Sequence, residues 1–414
     1  MGRAHVILHS DLNCFYASVE MNEQPLLKGK AIAVCGSTEN RHGIVLAKSY
    51  SAKAMGVITG QANWEAKRAC PDLICVPPHY DLYMRYSRDV RQIYHRYSDR
   101  VEPFGMDECW IDLGYLDNGF QEGYMIAKKI RKMIREEIGL TVSIGVSFTK
   151  TFAKLGSDMK KPDAVTMITR ENFKQKVWPL PASELLYIGP STTRKLKLMN
   201  IHTIGDLANA SEEWVQKNLG KNGIMLHRFA NGNDTARVMP YGFVPPVKSI
   251  GHGITCIVDL ETDEQVWLVM LELAQDIGRR LRENELSAHG IQITVKDRDL
   301  SWKQYQTTLP FATQSPMELA QYAYMLFCSH YHWEKPVRAL TIRGIALENE
   351  NTIKQLDVLQ EYQRRDKQKA LESAIYAIRD RFGNQAIRSA SLLGDLKMAQ
   401  DCCDSVKMPG LMFM

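Results

Sequence analysis

Three carboxylates constrain this chain more than any other feature of its sequence. Asp11 ends an alternating, strand-like segment (residues 4–11) and precedes a segment with helical spacing (15–23). Asp107 and Glu108 stand between two more strand-like runs, 101–104 and 109–113. An amphipathic stretch at 120–138 and a strand-like run at 142–148 follow. Strand, helix, strand pair, helix, strand is a ferredoxin-like pattern, in which one sheet brings all three acids to one edge. Such acids repel one another unless a cation neutralises them. Oxygen donors of this kind suit Mg2+, and two such ions about 4 Å apart stabilise both the attacking and the leaving oxygen of a phosphoryl transfer.

The rest of the chain arranges itself around this sheet. An insertion at 25–79 carries strand-like runs at 31–35 and 44–47 and helical stretches after Ser49 and Asn63. Beyond Lys161-Pro162-Asp163 the pattern turns to short helices, and 187–196 with 204–207 reads as a helix-hairpin-helix. Three prolines within 240–246 suggest a linker. After it, strand-like runs at 254–258, 291–296 and 337–347 alternate with helical stretches at 263–284 and 316–330, the signature of a second α+β domain. From Asn349 the chain turns polar, and a basic amphipathic helix at 366–382 precedes a low-order end.

Composition narrows the class. The 414 residues are 45% hydrophobic and 24% charged, as in ordinary globular proteins, and no apolar run reaches membrane-spanning length. The apolar run at the start is too short for a signal peptide, so a cytoplasmic protein is expected. The nine cysteines form no Cys-x-x-Cys pair, which points to reduced thiols rather than a zinc site. A formal net charge of +5 is too small to argue for nucleic acid, but 124–180 holds 12 basic and 5 acidic residues. The stretch 241–345 holds 10 basic and 12 acidic, so a DNA contact there needs its cations gathered on one face.

The stretches from His9 through Asp11-Leu12-Asn13-Cys14-Phe15-Tyr16-Ala17-Ser18-Val19-Glu20 and from Phe104 through Met106-Asp107-Glu108-Cys109-Trp110-Ile111-Asp112 resemble the acidic motifs of Y-family translesion DNA polymerases of the bacterial UV-damage repair type. So do Ala47 to Val57, Ser143 to Ser147, Phe152-Ala153-Lys154 and Asp158-Met159-Lys160-Lys161-Pro162. The resemblance covers nearly the whole chain. It implies an α+β, right-hand polymerase with a ferredoxin-like palm (1–26 and 80–175), small fingers (27–79), a helical thumb with a helix-hairpin-helix (176–240), an α+β little finger (241–348) and a tail (349–414).

Residue roles follow from the same resemblance. It implies Asp11, Asp107 and Glu108 as catalytic ligands of two Mg2+ ions, with the Leu12 carbonyl as a further ligand. Tyr16 falls at the steric gate that separates dNTP from rNTP, beside Phe15. Tyr50, Lys53 and Lys161 fall at the incoming triphosphate. Lys53 stands where many relatives carry Arg, and an ammonium grips phosphate as a point charge rather than bidentately. Gly189, Ser191 and Thr192 offer backbone N–H groups to a DNA phosphate, and Lys248, Arg298 and Lys303 are expected to share one DNA-facing side of the little finger. Gln355-Leu356-Asp357-Val358-Leu359 resembles a sliding-clamp docking peptide, with Gln355, Leu356, Val358 and Leu359 as the contacts and Leu359 where a Phe is usual.

The expected activity is therefore low-fidelity, DNA-templated DNA synthesis across damage by a monomer that carries no proofreading exonuclease and takes primer-template DNA, dNTP and the bacterial sliding clamp as partners. Two other readings compete. A nucleotide cyclase also sets paired acids on a ferredoxin-like sheet, but leaves the hairpin, second domain and docking peptide without a use. A catalytically inactive DNA-binding adaptor has no reason to keep three repelling carboxylates.

Overall fold

The computed structural model describes residues 4–39, 41, 43–349 and 361–399, with side chains from 367 onward in the last stretch. The described residues form two compact units, one from 4–36 and 44–245, the other from 37–43 and 246–399.

The first unit is built on β1 (Ala4–Leu12), buried from Val6 onward and so a central strand rather than an edge. Then come α1 (Phe15–Glu23), β2 (Ile32–Cys35), β3 (Val45–Lys48), α2 (Tyr50–Ala54), α3 (Asn63–Ala69), β4 (Ile74–Val76), α4 (Tyr80–His95), β5 (Val101–Pro103), β6 (Glu108–Leu116), α5 (Gly119–Met133), β7 (Val142–Ser147), α6 (Lys150–Met159) and β8 (Val165–Met167). The main sheet has the order β5-β6-β1-β7-β8, with β1 antiparallel to both neighbours. Apolar side chains of the strands pack with Ala127, Ile130 and Ile134 into one core. A second sheet, β3-β2-β4, has its own small core around Ala33, Val45 and Cys70. The amphipathic stretch at 120–138 is not one α-helix: after Met133 it widens into a π-turn, Ile134–Ile138, and stops at Gly139 in the left-handed region.

One contact decides where α6 lies. A Cβ on Gly145 in β7 would sit 1.9 Å from the carbonyl oxygen of Ala153, and a Cβ on Gly156 of the helix would sit 3.2 Å from the Gly145 Cα. Only glycines let α6 lie this close to the sheet. Gly145→Ala is therefore expected to cost at least about 3 kcal/mol, the upper part of the usual overpacking range, read as a fall in melting temperature.

Short helices α7 (Phe173–Val177), α8 (Pro190–Leu198), α9 (Ile204–Asn209) and α10 (Glu212–Ala230) complete the unit. The α8–α9 hairpin is tightly specified. Pro190 opens α8, where a missing N–H costs nothing, and Thr203 with Asp206 closes a capping box on α9.

The second unit has strands β9 (Ile250–Leu260), β10 (Leu286–Asp297), β11 (Trp302–Thr313) and β12 (Val337–Asn349) with helices α11 (Asp263–Glu283) and α12 (Pro316–His330). The sheet order is β11-β10-β12-β9. Ile254, Ile291, Ile293, Val295, Leu340 and Ile342 share one face and pack with helix residues. Strand β11 was not anticipated from the sequence. It is an edge strand whose Lys303, Gln304, Gln306, Thr307 and Thr308 are exposed, so no buried stripe announced it.

Beyond Asn349 the helix expected at 366–382 is present, and the low-order end expected after it is instead in part structured. Helix α13 (Glu361–Phe382) contacts the helical layer through Glu372, which accepts from Arg282 (2.7 Å) and Ser315 (2.5 Å). Leu392 and Met398 are buried in the same core, and the Ile257 N–H of edge strand β9 donates to the Lys397 carbonyl (2.8 Å). Among the described residues no helix is long and apolar enough to cross a membrane.

Candidate active site

Register does most of the assembly. Asp11 on β1 pairs directly with Glu108 on β6, so both carboxylates lie at the same end of adjacent strands. Asp107 is in the turn before β6, tied to this edge by the Leu12 N–H, which donates to the Asp107 carbonyl (3.0 Å). Asp11 is 5% exposed.

Two lysines answer this negative charge. Lys161 Nζ lies 2.9 Å from Asp11 Oδ2 and 2.8 Å from Asp158 Oδ1. Lys154 Nζ lies 2.9 Å from Glu108 Oε2, 3.4 Å from Asp11 Oδ2 and 3.2 Å from Asp158 Oδ2. Lys154 and Asp158 are one α-helical turn apart on α6, the helix that Gly145 admits to the sheet. Sequence reasoning gave Lys154 no role. Its signal was available in the i, i+4 spacing, but only the Gly145 contact turns that face of α6 toward Asp11.

Burial and like charge divide the three acids. Burial, then the neighbouring Glu108 and Asp11, push Asp107 up to about 7. Burial would raise Glu108 too, yet His9 and Lys154 outweigh it and hold the carboxyl down at about 2. Burial and Glu108 raise Asp11 against the pull of both lysines. Burial opposes charge on Lys161, but Asp11 and Asp158 prevail and raise it.

The donor set suits a hard divalent cation, being all oxygen and mutually repelling. With the acids turned toward lysines, no group of three or more His, Cys, Asp or Glu side chains among the described residues is arranged as a ready cation cage. A cation held at this site would therefore compete with the proton for Asp107. Its folded-state value lies above the ordinary 3.8, so its contribution favours the fold when protonated and is lost as pH rises through about 7. A cation at Asp107 offsets that loss. The stabilisation conferred by Mg2+ is expected to grow from about pH 6 to about pH 8, and Asp107→Asn should flatten that dependence in thermal melts.

Around the acids stands an aromatic wall. Tyr16 on α1 stacks on Tyr83 with centroids 4.3 Å apart and planes 11° apart, and meets Tyr80 edge-on at 6.1 Å. Its hydroxyl donates to Met106 Sδ (3.5 Å), and burial pushes it up to about 12. Phe15 is buried beside it, ring tilted at 5.6 Å. Tyr50 heads α2, and burial together with Cys14 raises its hydroxyl. The exposed Lys53 lies 5.9 Å from the Tyr50 ring centroid.

The remaining sequence-derived residues lie elsewhere. Gly189 caps α8 with open space around its Cα, Ser191 is exposed and Thr192 half-buried. In the second unit the expectation that Lys248, Arg298 and Lys303 share a face fails. Lys303 pairs with Val295, so alternation places it on the helix-covered side. Arg298 lies past β10 and donates to Asp259 (3.0 Å), while Lys248 is exposed ahead of β9. The uncovered face instead carries Gln292, Thr294, Lys296, Gln304, Thr341 and Arg343, and those paired positions include no acid. Gln355, Leu356, Val358 and Leu359 lie outside the described residues. The cavity of about 1420 Å³ lined by His5, Arg100 and Asp112 is at the opposite end of β1 from Asp11 and takes no part in this site.

Comparison with known proteins agrees with this geometry. Residues 10–158 match the impB/mucB/samB family, 247–358 its C-terminal domain, and 184–234 the thumb domain of DNA polymerase-iota. The chain is 47% identical over 390 residues to a DNA polymerase IV of Acetivibrio thermocellus, covering 94% of this chain and 98% of that one. It is 36% identical to DNA polymerase IV of Moorella thermoacetica (94% and 96% covered) and 36% identical to DNA polymerase IV 1 of Bacillus subtilis (95% and 94%). A solved Y-family DNA polymerase chimera superposes with a TM-score of 0.72 at 21% identity, over 82% of this chain and 98% of the other.

Proposed function

The chain belongs to the Y family of DNA polymerases, and on that premise we propose that Asp11, Asp107 and Glu108 carry out its templated DNA synthesis with two Mg2+ ions. Family membership makes it a DNA-directed DNA polymerase of translesion synthesis and DNA repair that binds template DNA and works with divalent metal. The observation that carries the finer reading is the pairing of Asp11 with Glu108, with Asp107 at the same strand ends and two lysines reaching the acids.

The residues divide the work. Asp11, Asp107, Glu108 and the Leu12 carbonyl would hold the metals, which when bound supply charge stabilisation to the attacking 3′-oxygen and the leaving pyrophosphate. Lys161 and Lys53, with the Tyr50 hydroxyl, hold and orient the triphosphate and offset the negative charge that spreads over it. Tyr16 bounds the sugar. Backbone N–H groups at the start of α8 grip a DNA phosphate without reading sequence. The Lys296 and Arg343 side of the second sheet is the better candidate for duplex contact than the three residues named from sequence. Synthesis without proofreading belongs to the same reading. Primer extension by the purified protein on undamaged and abasic templates tests it: extension past the abasic site, with terminal mismatches retained, is the expected result, and absence of extension where primer-template binding is measurable overturns it.

The reading also assigns clamp docking to Gln355, Leu356, Val358 and Leu359. Tethering raises the effective concentration of polymerase at the primer end. Replacing Gln355 and Leu356 by Ala is expected to abolish stimulation by a bacterial sliding clamp while distributive synthesis is unchanged, and equal stimulation of variant and parent removes the docking claim.

A further inference from the structure

His9 is fully buried two residues before Asp11, and its ring is held on three sides. Ser157 Oγ lies within hydrogen-bonding distance of the Lys154 carbonyl oxygen (2.7 Å). His9 Nδ1 lies 2.9 Å from Ser157 Oγ and, as the unprotonated nitrogen of a neutral ring, accepts from its hydroxyl. Trp110 lies edge-on to the imidazole at 5.2 Å and blocks its rotation. With Nδ1 committed and the plane fixed, Nε2 is aimed at Glu108 Oε2, 3.3 Å away. Both atoms are buried, and Oε2 also meets the Lys154 ammonium at 2.9 Å. With Nδ1 accepting, the single ring hydrogen is on Nε2 and is donated to the Glu108 carboxylate, which makes the contact attractive.

We propose that His9 is a positioning residue that holds the Glu108 carboxylate in its cation-binding orientation. The connection runs from the α6 backbone at Lys154 through Ser157 Oγ and the imidazole to Oε2, the same oxygen that Lys154 Nζ reaches from the other end of its own residue. His9 and Lys154 thus fix Glu108 from two directions, one through a neutral ring and one through an ammonium. Burial opposes charge on the ring. Ligand-orienting partners of this kind are worth about 10- to 100-fold in metal affinity. The inference rests on the metal-binding reading of Glu108.

Two isosteric substitutions separate the bonds. His9→Asn places an amide where Nδ1 was, keeping Ser157 and losing Glu108. His9→Gln places an amide where Nε2 was, keeping Glu108 and losing Ser157. Mn2+ binding to each full-length protein, measured by the electron paramagnetic resonance of the free ion, is the primary readout. His9→Asn should weaken Mn2+ about 10- to 100-fold and His9→Gln by less than about threefold, with kcat falling in His9→Asn at little changed KM for dNTP. Equal Mn2+ affinity of His9→Asn and parent overturns the proposal, as does equal weakening in both variants. If His9→Asn does not fold, Ser157→Ala frees the imidazole from its anchor. It should weaken Mn2+ severalfold, and parent-like affinity again overturns the proposal. Parent protein that binds no more Mn2+ than Glu108→Ala marks failure of the metal reading itself, a different result from any of these.

Discussion

Primer extension by the Asp107→Ala, Glu108→Ala double variant is expected to fall by roughly a thousandfold or more, because one preorganised electrostatic stabiliser is worth about a hundred- to a thousandfold in rate. Primer-template binding should be kept or improved, since the change removes negative charge from a surface that meets a polyanion. The expected effect on stability separates catalytic loss from misfolding. Asp107 is pushed up to about 7 by burial and by its acidic neighbours, so the fold disfavours its ionised form above that pH. Removing such a group does not cost the free energy that removing a satisfied one would, so Asp107→Ala alone should melt no lower than the parent in the absence of divalent metal at about pH 8, whereas loss of Glu108, held ionised by His9 and Lys154, should lower the melting temperature of the double variant. Extension within tenfold of the parent, by a variant that binds primer-template, would take Asp107 and Glu108 out of the proposed chemistry. An Asp107→Ala single variant that melts well below the parent would instead show that acid to be structural.

What the sequence made legible here was whatever depends on local order along the chain. Asp11 between a strand and a helix, and Asp107-Glu108 between two strands, are local statements, and the antiparallel register of β1 with β6 converts them into one site. The site's cations were not legible in the same way. Lys154 reaches Asp11 only because Gly145 and Gly156 let α6 lie against the sheet, a tertiary fact carried by two glycines with no charge pattern to mark them. His9 was hidden for the opposite reason: a histidine inside an apolar strand reads as core, and its bonds go to residues 99 and 148 positions away. In the second unit the error was one of parity. Lys303 was taken as a surface cation without a strand to belong to, and once β11 exists its pairing with Val295 fixes its side of the sheet. The end of the chain after the basic helix looked unable to order itself. Leu392 and Met398 do so by joining a core that another part of the chain supplies.

Sugar discrimination is the second large effect, and it follows from how firmly Tyr16 is held. Its ring is stacked on Tyr83 at 4.3 Å, closed from the side by Tyr80 at 6.1 Å, backed by Phe15 at 5.6 Å and pinned at its hydroxyl by Met106. A ring so confined cannot swing aside for an extra oxygen on the nucleotide. Overlap with a 2′-hydroxyl therefore costs about 1–3 kcal/mol, as for other forced overpacking, which is roughly 5- to 150-fold in relative rate. Tyr16→Ala is expected to lose that factor in the ratio of dNTP to rNTP kcat/KM, and Tyr16→Phe to keep it, because the bulk of the ring and not its hydroxyl makes the barrier. The ratio is taken within one protein, so a lower folded fraction in the Ala variant cancels from it. Tyr83 gives an independent handle. Tyr83→Leu keeps apolar volume behind Tyr16 but removes the stacked partner, and should lower selectivity by an intermediate amount as the gate ring gains room to move. Unchanged selectivity in Tyr16→Ala would show that the sugar is bounded by another group, and would leave the stack of Tyr16 on Tyr83 as a structural support for α1 against α4.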